Sequence, residues 1–117
     1  MTTLVLSSQM NPVVSRHCAE WEDEMGFGPC GAVALARRMQ KGWGIVMGYR
    51  HRPDQDPFFG WPHYVSRLPD GTLLDETNPL SETDTCFSID EDAELPPHEI
   101  PDVATEQYAR WWLEKGL

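Results

Sequence analysis

The sequence predicts an α+β fold in which a helix carrying a cysteine at its start packs on a small antiparallel sheet. Three observations predict it. A glycine-rich turn, Gly26-Phe27-Gly28-Pro29, runs into Cys30 and then into the helical stretch 31–39. Strand-like segments cover residues 43–50, 61–68 and 72–76, after a helical first half. The last two are joined by Pro69-Asp70-Gly71, which is hairpin chemistry rather than a crossover helix. With 117 residues the chain is expected to form one domain spanning 1–117, large enough for a single core.

Residues 2–7 read as a short strand or extended arm. Asn11-Pro12 then supplies an N-cap followed by proline at the first helical position. Val14, Cys18, Trp21 and Met25 fall on one apolar stripe, so Cys18 is expected in the core; Glu20, Glu22, Asp23 and Glu24 lie around the solvated remainder. Pro29 is expected in the first turn of the next helix, where its missing N–H has no partner to lose, and Gly42 stops that helix. The strand 43–50 leads into a polar, proline-broken loop.

The hairpin carries the most specific prediction. Proline first and glycine third suit a type I turn closed by a left-handed residue. Leu68 then faces Thr72, Val65 faces Asp75, and His63 lies diagonally across from Asp75 on the same sheet face. A two-residue turn instead puts Asn78 opposite His63. Val65 and Leu73 share the His63 face and offer an apolar surface for the cysteine helix. Beyond Asn78 the chain is acidic and proline-broken, with Cys86-Phe87-Ser88-Ile89 as a short strand. Asp102 is expected to cap a last helix whose Ala104, Tyr108, Trp111 and Trp112 share a face.

Formal charge is −10, which speaks against nucleic acid and anionic membranes as partners. Ten of the nineteen acids lie between Asp75 and Asp102, so the excess is local. The segment 82–102 is expected to be a surface loop, either mobile or pinned by the basic cluster Arg37, Arg38, Lys41, Arg50 and Arg52. Three cysteines without a C-x-x-C pair, no leader-like start and no spanning segment point to a reducing, cytoplasmic setting with free thiols. His17, Cys18, Cys30, His51, His63, Cys86 and His98 are scattered without ligand spacing, so neither a metal site nor a cofactor is expected.

Cysteine at a helix start, histidine opening a later strand and a carboxylate on the next strand form a thiol hydrolase set. The thiolate attacks a carbonyl, the imidazole stabilises it and then protonates the leaving group, and the carboxylate holds the ring. The order Cys30, His63, Asp75, carried by Gly28-Pro29-Cys30-Gly31-Ala32-Val33-Ala34-Leu35 and by His63-Tyr64-Val65 through Asp75, resembles the papain-like cysteine peptidase superfamily. It is also similar to the Cys-His-Asp arrangement of NlpC/P60 and transglutaminase-like proteins. The resemblance implies a papain-like core with Cys30, His63 and Asp75 catalytic, Asn78 being the alternative third residue.

Gly28 and Trp61 are candidate substrate contacts. Papain-like peptidases usually carry a glutamine a few residues before the nucleophile, whose amide donates to the oxyanion. Here Glu24 stands six residues before Cys30, and a carboxylate cannot donate. The Cys30 backbone N–H with Gln9, Asn11 or another backbone N–H is left for that role. The chain is therefore expected to be a small thiol hydrolase or acyltransferase acting on an amide or ester of a protein or peptide. The alternative is a catalytically inactive binding or inhibitor module of the same fold working through its acidic segment.

Overall fold

A computed structural model of the chain describes residues 2–4, 7–8, 10–77, 86–90, 93–102 and 104–117. Within them the fold is α+β, with the elements β1 (Thr2–Leu4), β2 (Ser7–Ser8), α1 (Pro12–Met25), α2 (Cys30–Lys41), β3 (Gly44–His51), a 3₁₀ turn (Pro57–Phe59), β4 (Trp61–Arg67), β5 (Leu73–Asp75), β6 (Cys86–Ile89) and α3 (Glu106–Glu114). The 3₁₀ turn falls inside the loop expected after β3, where Asp56 and Pro57 supply a cap and a first helical residue.

Helix boundaries follow local chemistry. The Asn11 side chain accepts the Val13 N–H at 2.8 Å, and Gly26 closes α1 in the left-handed region at φ 79°. Cys30 is the first residue of α2, and Pro29 stands just before it rather than within the first turn. Asp102 does not cap the last helix. Thr105 does, its hydroxyl accepting the Tyr108 N–H at 3.2 Å, because the chain is still turning at Pro101 and reaches helical geometry only after an extended residue. The Asp102 N–H instead donates to the Tyr64 hydroxyl at 3.1 Å.

Among the described residues the sheet runs β1-β6-β3-β4-β5-β2. All neighbours are antiparallel except the two-residue β2, which runs parallel to β5 at one edge. That exception arises because the N-terminal arm passes beside β5 on its way to α1, where the Asn11 N–H meets the Glu76 carbonyl at 3.0 Å. The hairpin closes as expected: Leu68 N–H donates to Thr72 O and Gly71 N–H to Leu68 O, both at 2.9 Å. Gly71 sits at φ 88°. Ser66 pairs with Leu74 and Arg67 with Leu73. This register rules out the two-residue turn.

Two apolar clusters form. One joins α1, α2, α3 and Ile45 around Trp21, which is ringed by Phe27, Tyr108, Trp111 and Trp112 at centroid distances of 5.8, 5.6, 5.2 and 5.6 Å. The other consists of Val46, Val65, Leu73, Phe87 and Ile89. The cysteine helix therefore does not pack on the Val65–Leu73 surface. Strand alternation sends Ile45 and Tyr64 toward the helices and Val46 and Val65 to the opposite face, where Phe87 and Ile89 of β6 cluster with them.

Other expectations change with tertiary context. Arg37 belongs to no solvated cluster: it is buried, and its Nε and Nη2 donate to the two oxygens of Glu76, each at 2.7 Å. Cys18 is half-buried rather than core. The described part of the acidic segment is tied down, with Leu95 N–H on Ile45 O at 2.8 Å, Arg38 donating to the carbonyls of Pro96 and Glu99, and Arg67 paired with Glu94 at 2.9 Å.

Candidate active site

The start of α2 lies against the end of the sheet where β5 stops. Register places Tyr64 opposite Glu76, but β5 ends at Asp75 and the Glu76 carbonyl has turned to Asn11. The Tyr64 N–H is thus released from the ladder and bonds the Cys30 sulfur instead. Gly31, next to Cys30, lets the segment before α3 pack closely on the start of α2. A Cβ there would stand 3.2 Å from Pro101 Cβ, 3.4 Å from Ala104 Cβ and 3.5 Å from the Tyr64 ring.

His63 lies on the other face of β4, diagonal to Asp75 as the hairpin register requires. Its Nε2 meets Asp75 Oδ2 at 2.7 Å, with His63 4% and Asp75 1% exposed. That leaves Nδ1 for the Cys30 thiol, with which the ring is hydrogen-bonded. Phe87 packs edge-on to the imidazole at 6.1 Å. The remaining oxygen of Asp75, Oδ1, accepts both the N–H and the hydroxyl of Thr77 at 3.1 Å. The carboxylate is therefore held from both sides, and its plane fixes the ring.

Electrostatics follow from this packing. Burial pushes the Cys30 thiol up, but the His63 hydrogen bond and charge together with the Tyr64 N–H outweigh it and bring the thiol below its ordinary value. Burial also disfavours the charged imidazole, yet hydrogen bonds and charge from Asp75 and Cys30 raise His63 to about 9. Asp75 is pushed up by desolvation and brought down further by His63 and Thr77, so its net shift is downward. Both shifts run toward a thiolate beside an imidazolium. Cys18, on the wall of the same cavity, goes the other way: burial and the Glu22 carboxylate raise its thiol.

The cavity in front of Cys30 measures about 580 Å³. Its lining includes Met10, Phe27, Gly28, Arg50, Trp61 and Thr77. Both sequence-predicted substrate contacts, Gly28 and Trp61, therefore lie on its wall. Asn11 does not offer an oxyanion donor: its amide nitrogen donates to Glu76 Oε1 at 3.1 Å while its oxygen caps α1. Glu24 is exposed on α1. Gln9 and Asn78 lie outside the described residues. The donors at hand are the first N–H groups of α2, which have no acceptor within the helix.

Glu76, buried next to Asp75, joins the Asn11 cap of α1 to Arg37 of α2, and Arg37 also donates to Gln40 at 2.7 Å. This clasp holds α2 and the end of β5 at one separation. It was not foreseen, because Arg37 reads as a surface residue until its partner is known. Thr77 was missed as well, although a threonine two residues after an aspartate is a signal for a carboxylate capping its own turn. Arg50 stood out only as one of several basic residues. Its guanidinium lies 5.9 Å from the Trp61 ring centre and feels the charges of Asp75 and Cys30.

Among the described residues no group of histidine, cysteine and carboxylate side chains is arranged to hold a metal ion. No helix there is long and apolar enough to cross a membrane. Comparison with protein-family models, curated proteins and solved structures finds nothing that matches this chain.

Proposed function

We propose that the chain is a papain-like thiol hydrolase or acyltransferase that cleaves an amide or ester of a protein or peptide through Cys30, His63 and Asp75. The observation that carries this reading is the buried Asp75–His63 contact at 2.7 Å behind a thiol that opens on a 580 Å³ cavity. A purely structural cysteine has no use for an ordered histidine and a locked carboxylate in line behind it.

In this reading the Cys30 thiolate attacks the substrate carbonyl, and the developing oxyanion is met by N–H groups at the start of α2. The macrodipole of α2 favours negative charge at that end. His63, charged by its pairing with Asp75, gives a proton to the leaving nitrogen or oxygen, and the acyl group stays on sulfur as a thioester. A water molecule, or an amine in the transferase case, then enters from the side the leaving group has vacated. His63 takes its proton and the thiolate is released. Asp75 keeps the ring in the tautomer and orientation both steps need. The inactive-module alternative leaves the lowered thiol and the cavity unexplained.

The two readings separate on one measurement. Iodoacetamide at mildly acidic pH, followed by peptide mass spectrometry, is expected to modify Cys30 well ahead of Cys18 and Cys86. Cys18 is an internal control, because it shares the cavity but its thiol is raised. Equal or slower labelling of Cys30 would refute the proposal.

A further inference from the structure

The 3₁₀ turn leading into β4 presents Phe58 and Phe59 at 67% and 77% exposure, followed by Trp61 at 48%. Exposure of three large aromatics so close together in the chain is costly unless they meet something. They are also held in place. Asp56 Oδ1 caps the turn by accepting the Phe58 N–H at 3.0 Å, the Phe59 N–H donates to Asp56 O at 2.9 Å, and Gln55 Nε2 donates to Phe59 O at 3.2 Å. Gly60 lies against the Arg50 carbonyl with no room for a Cβ, and Phe58 packs on Tyr49 at 6.0 Å. A fixed backbone presenting bare rings is a surface prepared in advance, and binding to it loses little conformational entropy.

Its position tells which half of a substrate it meets. Arg50 pairs with Trp61 and Gly48 with His63, so Trp61 and Arg50 occupy the next same-face rung beside His63. His63 is the group that hands a proton to the leaving nitrogen and takes one from an incoming nucleophile. The leaving group therefore sits on the His63 side of the thioester, toward Trp61, which lines the cavity and which Phe58 and Phe59 precede in the chain.

Resting on the function proposed above, we infer that Phe58, Phe59 and Trp61 form the binding shelf for the amine-bearing half of a polypeptide substrate or acceptor, and that the shelf selects a large apolar residue next to that amine. The chain's net charge of −10 argues against an anionic membrane as the occupant. In the transfer step the amine nitrogen bonds the thioester carbonyl carbon and the C–S bond breaks. One amine proton passes to His63, which with the released thiolate restores the resting pair.

The test loads Cys30 with acetyl from 4-nitrophenyl acetate and then offers phenylalanyl-leucinamide or glycyl-glycinamide as acceptor. The wild-type chain is expected to transfer acetyl to the phenylalanyl peptide about tenfold or more faster, the discrimination that burying one aromatic side chain supplies. F58S/F59S should level the two acceptors, while F58L/F59L, which keeps an apolar surface, should retain most of the preference. Equal rates in the wild type, or a preference that survives F58S/F59S, would overturn the shelf. So would a concentration-dependent dimer, seen by sedimentation, that buries Phe58 and Phe59. Absence of any acetyl-Cys30 would instead overturn the reading of Cys30, and the shelf with it.

Discussion

At the residue scale, the pairing of Cys30, His63 and Asp75 sets a pH dependence. The lowered thiol gives the acid limb, and His63, raised to about 9, gives the basic limb, so activity should follow a bell whose upper edge belongs to the coupled pair. Asp75→Ala is expected to pull that upper edge down, because it removes the acceptor that raises His63; a pH–rate profile of alkylation or acyl transfer reads the change. Stability follows the same linkage. His63 rises from an ordinary 6.5 to about 9, so the stability it contributes is complete below 6.5 and is lost as pH climbs through about 9. Asp75 is lowered, so its contribution is present above its ordinary 3.8 and is lost as pH falls through the folded value. Urea unfolding across pH should show the alkaline loss in the wild type and a smaller one in His63→Ala.

At the element scale, two devices hold the pieces of the proposed site in register. The Arg37–Glu76 pair crosses from α2 to the end of β5 with both partners buried. Glu76→Ala strands the guanidinium in the interior, and about 3–5 kcal/mol of stability should be lost on urea unfolding. Replacing both partners with apolar residues of similar volume should restore much of it. Gly48 lies opposite His63, and a Cβ there would run into Phe87 and Ile89, which pack against the imidazole's surroundings. Gly48→Ala should therefore cost about 1–3 kcal/mol by overpacking and shift the His63 titration seen by NMR.

At the scale of the whole molecule, the helical layer is centred on Trp21 of α1, fully buried among four aromatic rings, three from α3 and one from the turn before α2. Trp21→Ala should cost about 3–5 kcal/mol, enough to unfold a small domain at modest temperature. Charge acts over the same scale. A formal −10 on 117 residues repels itself, while basic side chains such as Arg37, Arg38 and Arg67 are occupied in specific contacts. Raising ionic strength from low salt to about 0.15 M should lift the melting temperature as that repulsion is screened.

The sequence alone determined whatever short-range chemistry decides. Asn11-Pro12 placed the start of α1, Gly42 the end of α2, and Pro69-Asp70-Gly71 the hairpin register. Because side chains alternate strictly along a strand, that register already brought His63 and Asp75 onto one face. What needed tertiary structure was every relation between segments distant in the chain. Which face of the sheet the cysteine helix covers goes with Phe87 and Ile89 of β6 joining Val46 and Val65 on the other face, and no local pattern in β3 or β4 announces that. Arg37 became an interior residue, and Asn11 lost its candidacy as an oxyanion donor, only when Glu76 arrived between them. The contact of Cys30 with Tyr64 and His63 likewise depends on β5 ending at Asp75 and freeing one N–H, since a thiol can occupy a ladder position only where the next strand has turned away.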